Sequence, residues 1–128
     1  MSTIRANTLV NMDGVTAVTL ARQVASKVWV NFNGMGAATV RNSFNISSLT
    51  FNSTGNYTMS YTNALVDADY SATGMVSAQG VTWLNGLMIG DENGYTITTN
   101  TLRMSTNYAG SAGGNRENRN YVCMTIHR

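Results

Sequence analysis

The chain has 128 residues, 43% of them apolar and only 11% charged, with a formal net charge of +2. That length suits one domain, which can bury a core without metals or disulfides but not two cores. One Lys and seven Arg, nowhere in a block, argue against a nucleic-acid groove, and the single cysteine, Cys123, excludes an internal disulfide or a multi-cysteine zinc site.

Residues 1–25 contain no aromatic side chain and one turn signal, Asp13-Gly14. The stretch VTAVTLARQV could form a turn or two of helix, but its β-branched residues argue against more. The segment therefore predicts an extended arm ordered by a partner, with Ile4, Leu9, Val10, Val15 and Leu20 as its apolar docking residues. Its start, MSTIRANTLVNMDG, lacks the apolar stretch of a secretion signal. No run approaches the roughly 18–20 apolar residues of a membrane span. The expectation is a product made in the cytoplasm, released by lysis if at all, and not inserted in a membrane.

From Ser26 onward the apolar residues alternate. Val28, Val30 and Phe32 share one face of a strand; Lys27, Trp29, Asn31 and Asn33 share the other. Strands are next predicted at 39–45 and 47–51. At 56–62, Tyr57, Met59 and Tyr61 alternate with polar residues. Further strands are predicted at 70–79, 81–89, 95–99 and 102–107. In the last one Val122, Met124 and Ile126 alternate with Tyr121, Cys123, Thr125 and His127. A period of two marks half-buried antiparallel strands. Asn33-Gly34, the 53–56 stretch, Asn85-Gly86 and Asn93-Gly94 read as turns, because Asn and Gly tolerate positive φ. The prediction is an all-β chain: an antiparallel β-sandwich, Greek-key or jelly-roll-like, over 26–128, with the arm before it. Its core comprises Val28, Val30, Phe32, Tyr57, Met59, Val122, Met124 and Ile126. Residues 110–120, GSAGGNRENRN, are predicted to be a long polar loop.

Catalytic chemistry is scarce. Cys123 and His127, four residues apart on one strand face, would lie about 13 Å apart by strand rise, too far for proton transfer. Asp67 and Asp69 read as a turn into a strand, because a calcium site would need about six oxygen ligands. No catalytic residue, cofactor or metal site is assigned. Trp29, Trp83, Tyr95, Tyr108 and Tyr121 cannot all face inward by alternation. Aromatics on a β-domain's surface stack on sugars or anchor protein interfaces.

The stretch KVWVNFNGMGAATVRNSFNISSLTFNSTGNYTMSYTNALVDADY resembles a module of tailed-phage fibre and virion structural proteins. That module reads K-A-W-V-N-F-N-G, a short Gly-rich turn, R-x-S-F-N-[VI]-S-S-[IL], G-[ND]-Y-T, a strand, and D-A-x-Y. The matching residues here are Lys27, Trp29, Val30, Asn31, Phe32, Asn33, Gly34, Arg41, Ser43, Phe44, Asn45, Ser47, Ser48, Gly55, Tyr57, Thr58, Asp67, Ala68 and Tyr70. MSTIRANTL and YVCMTIHR are similar to the opening and closing stretches of such proteins. The resemblance implies a non-enzymatic β-sandwich on a virion surface, often trimeric, with an N-terminal part that docks on the particle.

The expected function is that of a fibre-like bacteriophage surface protein. Its arm would bind a tail or major capsid protein, and its loops would bind a host glycan or protein. Trp83, Tyr95, Tyr108, Arg116 and Arg119 are the candidate contacts, because aromatic and Arg side chains dominate binding hot spots. The alternative is a capsid decoration (knob or cement) protein; a third reading is a free carbohydrate-binding module or an enzyme.

Overall fold

The computed structural model describes residues 25–77, 84–90, 97–110 and 113–128. Among these residues there are nine strands and no helix. In chain order they are β1 (Ser26–Asn33), β2 (Thr39–Phe44), β3 (Ile46–Ser53), β4 (Asn56–Tyr61), β5 (Ser71–Val76), β6 (Leu84–Ile89), β7 (Thr101–Gly110), β8 (Gly113–Arg116) and β9 (Val122–His127). Two antiparallel sheets pack together as a β-sandwich. One runs β2-β1-β9-β5; the other runs β3-β4-β7-β6, with β8 also paired to β7.

The alternation that predicts β1, β4 and β9 is what closes the core. Val28, Val30 and Phe32 on β1, Tyr57 and Met59 on β4, and Val122, Met124 and Ile126 on β9 are all buried. Tyr61, Leu65, Leu102 and Met104 join them. Phe32 and Tyr57 meet edge to face across the sheets, their ring centroids 4.9 Å apart. A polar side chain on the inner face at any of these positions would lose its water without gaining a partner, so the period of two selects this register.

Around the sandwich, β4 sits beside β7, and β6 lies next to β5 at the edge of the other sheet without pairing to it, so the order β4-β7-β6-β5 makes a Greek-key return. A jelly roll does not describe the chain, because β1–β2, β3–β4 and β6–β7 are sequential neighbours within one sheet. The crossing from β2 to β3 falls on Asn45, at φ 59°. Its amide donates to Lys27 O and Asn63 O, and its Oδ1 accepts from the Asn63 backbone, so one side chain ties three segments at the crossing.

Three expectations are corrected. Asn85-Gly86 is not a turn: both lie within β6, opposite Tyr108 and Asn107. Residues 110–120 are not one long loop. Their first half closes a hairpin, with Gly110 opposite Gly113 and Asn107 opposite Arg116. Of the strand predicted at 95–99, residues 97–99 form no strand; Thr98 Oγ1 instead accepts from the Asn100 and Thr101 amides in a turn leading into β7. The Asn93-Gly94 turn and residues 1–24 of the predicted arm, with Ile4, Leu9, Val10, Val15 and Leu20, lie outside the described residues.

Candidate functional site

The two ends of the sandwich differ. At the first end β1 begins, β9 ends and the 62–70 loop passes. At the second, β1 ends at Asn33, β9 begins, and β7 runs on past β4 to pair with β8.

A polar joint holds the second end. The Tyr57 hydroxyl lies 2.8 Å from Gly34 O and 3.1 Å from Asn118 Oδ1. Gly34 N donates to Arg119 O, and Gly55 N donates to Asn118 Oδ1. A side chain at Gly34 would collide with the Tyr57 hydroxyl and Arg119 O, its Cβ falling 2.5 and 2.9 Å from them. Gly55 adopts φ +62°, a left-handed conformation that glycine takes without penalty. Thr106 completes the joint: its N–H donates to Gly55 O, and its C=O accepts from Glu117 N. Burial pushes the Tyr57 phenol above its ordinary value, against the hydrogen bonds that favour its ionised form.

Beyond this joint, strand pairing brings together two segments far apart in sequence. Asn85, Tyr108 and Asn115 form one row across β6, β7 and β8; Gly86, Asn107 and Arg116 form the next. Asn115 Nδ2 reaches the Tyr108 hydroxyl at 3.4 Å. Two of the predicted contacts, Tyr108 and Arg116, are thus placed on adjacent strands, both half-buried. Trp83 and Tyr95 lie outside the described residues. Arg119 departs from its expected place among exposed contacts. It is 1% exposed, with its guanidinium 2.9 Å from Glu117 Oε2 and 5.9 Å from the Tyr108 ring centre. The polar loop carries it inward because its own backbone carbonyl is engaged by Gly34.

A second cluster was missed by sequence reasoning. Arg41 lies over the Tyr121 ring at 4.1 Å and donates to Asn120 Oδ1 at 2.8 Å and to Asn31 Oδ1. Nearby on the outer face of the same sheet, Trp29 stands between Phe44 on β2 and Thr125 on β9. Alternation put Trp29 and Asn31 on that face, but Arg41 is on β2 and Tyr121 lies just before β9, and no local pattern reveals the register that joins them.

At the first end a cleft of about 680 Å³ is lined by Ala25, Phe44, Ala64, Leu65, Val66 and Arg128, among others. Phe44 and Val66 remain 54% and 85% exposed there. Arg128 Nε donates to Asp67 Oδ1 at 2.6 Å and Nη2 to Oδ2, so the end of β9 clamps the 62–70 loop. The Arg128 hydrogen bonds hold the Asp67 carboxyl below its ordinary value. Asp69 N donates to Asp67 Oδ1, which is the turn expected there.

Cys123 and His127 sit on β9, opposite Asn31 and Ser26 respectively. Among the described residues no three His, Cys, Asp or Glu side chains gather as a metal-binding group. Compared with known proteins, the chain matches no family model, no curated protein and no solved structure.

Proposed function

We propose that this is a non-enzymatic bacteriophage virion surface protein, fibre-like, which docks on the particle through residues 1–25 and presents its second end to the host surface. The observation that carries the reading is the polarity of the sandwich. The chain enters β1 at Ala25, beside the cleft of the first end. The β7–β8 hairpin and the rows holding Tyr108 and Arg116 lie at the opposite end, beyond the Gly34–Tyr57 joint. An anchored protein that contacts a second surface needs this separation of roughly 26 Å, the length of an eight-residue strand.

The residues of the phage-module resemblance fit a scaffold role. Gly34, Asn45, Gly55, Tyr57 and Asp67 hold turns, crossings and joints, which leaves the segments outside the module free to carry specificity. Few charges suit a surface that meets varying salt, because contacts built on neutral groups are little screened. A homotrimer, or a subunit at a three-fold site, is part of the same proposal.

Locating the chain in an electron-microscopy map of intact particles tests it. The expected result is density for the β-sandwich with Ala25 toward the particle and the β7–β8 hairpin outward. A sandwich lying flat on the capsid shell, with the hairpin against it, would favour the decoration role.

A further inference from the structure

Among the described residues, Arg119 is the side chain with the most buried polar atoms lacking a hydrogen-bond partner. It is 1% exposed, yet Nε, Nη1 and Nη2 have no hydrogen-bond acceptor. Its compensation is Glu117, whose Oε2 lies 2.9 Å from Nη2 without hydrogen-bond alignment, and the Tyr108 ring 5.9 Å from the guanidinium carbon. A guanidinium offers five N–H donors in a planar fork, and leaving them unmet away from water is costly. Glu117 is itself 46% exposed, so its carboxylate is the link between the buried guanidinium and solvent.

We propose that Arg119 is the receiving group of a carboxylate-binding site. The carboxylate of an acidic sugar takes the place that the Glu117 carboxylate holds, and Glu117 turns out to solvent. The fork of the guanidinium matches the two oxygens of a carboxylate, which a single misaligned Glu117 oxygen does not. The Tyr108 ring beside it supplies an apolar face for a sugar ring. Asn115, paired with Tyr108 on the same face of the sheet, offers an amide suited to a hydroxyl group. Neutral hydroxyl-binding groups around one fixed cation favour a uronic or sialic acid over a densely charged polyanion. This assignment rests on the host-surface reading above and names the class of ligand for it.

The test is an NMR titration of the purified full chain with sodium glucuronate, following the arginine Nε–H signals. Glucose and sodium acetate at matched ionic strength serve as comparisons. The Arg119 signal should shift saturably with glucuronate and not with glucose. Glu117→Gln removes the competing carboxylate and should tighten binding by up to about fivefold, the worth of a partly exposed ion pair. Tyr108→Leu should erase the preference for glucuronate over acetate. No saturable shift in either the native chain or the Glu117→Gln variant would overturn the proposal, as would equal shifts with glucose. Acetate binding as tightly as glucuronate to the native chain would overturn the sugar class. Adsorption of particles carrying Glu117→Gln separates this from the host-surface reading. Glucuronate binding with unchanged adsorption leaves the site standing and sinks the adhesion role. Absent binding, with adsorption lost in Arg116→Ala particles, does the reverse.

Discussion

Tyr57 joins the core to the polar joint: its ring packs on Phe32 and Phe51, while its hydroxyl reaches Gly34 O and Asn118 Oδ1. Tyr57→Phe should cost about 1–3 kcal/mol, because it leaves the buried Gly34 O without its donor, whereas Asn118 Oδ1 keeps the Gly55 N–H. It should also change the alkaline limb of stability. The folded-state pKa of Tyr57 is raised above its unfolded value near 10, so its contribution is complete below pH 10. It is lost as pH rises from there toward the folded value, and Tyr57→Phe removes that part of the slope in denaturant melts taken across pH. Asp67 has the opposite sign. Its pKa is held below the ordinary 3.8, so the stabilisation from Arg128 is present above that value and fades as pH falls through the lowered one. Asp67→Asn should lose this acid-sensitive component, checked by the same melts between pH 2 and 5. Phe32→Ala, which empties a fully buried site beside Tyr57, should cost about 3–5 kcal/mol in chemical denaturation.

Among the elements, β1, β4 and β9 were legible because each has one face wholly in the core and one outside it. Every buried apolar position on them falls on the alternation, although the core prediction omits Tyr61; Asn56, buried at the start of β4, does not show in it. β8 was not legible: GGNR has no apolar periodicity, and it is a strand because β7 offers it free backbone donors and acceptors beyond the end of β4. The same reason hides the role of Asn85-Gly86. A dipeptide that favours turns is held extended in β6 by its ladder to β7, where tertiary pairing outweighs local preference. The candidate site was legible only as two segments; their joining into rows depends on register. Arg119, expected as an exposed contact, is buried; its spacing of two from Glu117 hints at their pairing but not at that burial. Since Arg119 is buried, its removal would confound a test of surface contact, and Arg116 is the cleaner probe. Arg116→Ala should lower particle adsorption while leaving the melting temperature within a few degrees, the effect expected of a residue outside the core. Gly34→Ala should instead destabilise the fold, measurably by thermal melt, because its Cβ has no room between Tyr57 and Arg119 O.

For the whole molecule, removing residues 1–24 should leave a folded sandwich, since its core draws only on residues from Val28 onward. Circular dichroism and melting would register that, and incorporation into particles should be lost. Normal incorporation of the shortened chain would sink the docking role. The opposed ends also have a mechanical consequence. Ala25 precedes β1 at one end and the β7–β8 hairpin lies at the other, so a tug between particle and host runs along the strands. Such a load is shared by the whole ladder that flanks β1, and the backbone bonds must yield together in shear. Ala25 and Arg128, in contrast, lie at the same end on neighbouring antiparallel strands, where a pull parts β1 from β9 one bond after another like a zipper. Single-molecule pulling should therefore find a high rupture force between residue 25 and the hairpin, and a low one between residues 25 and 128.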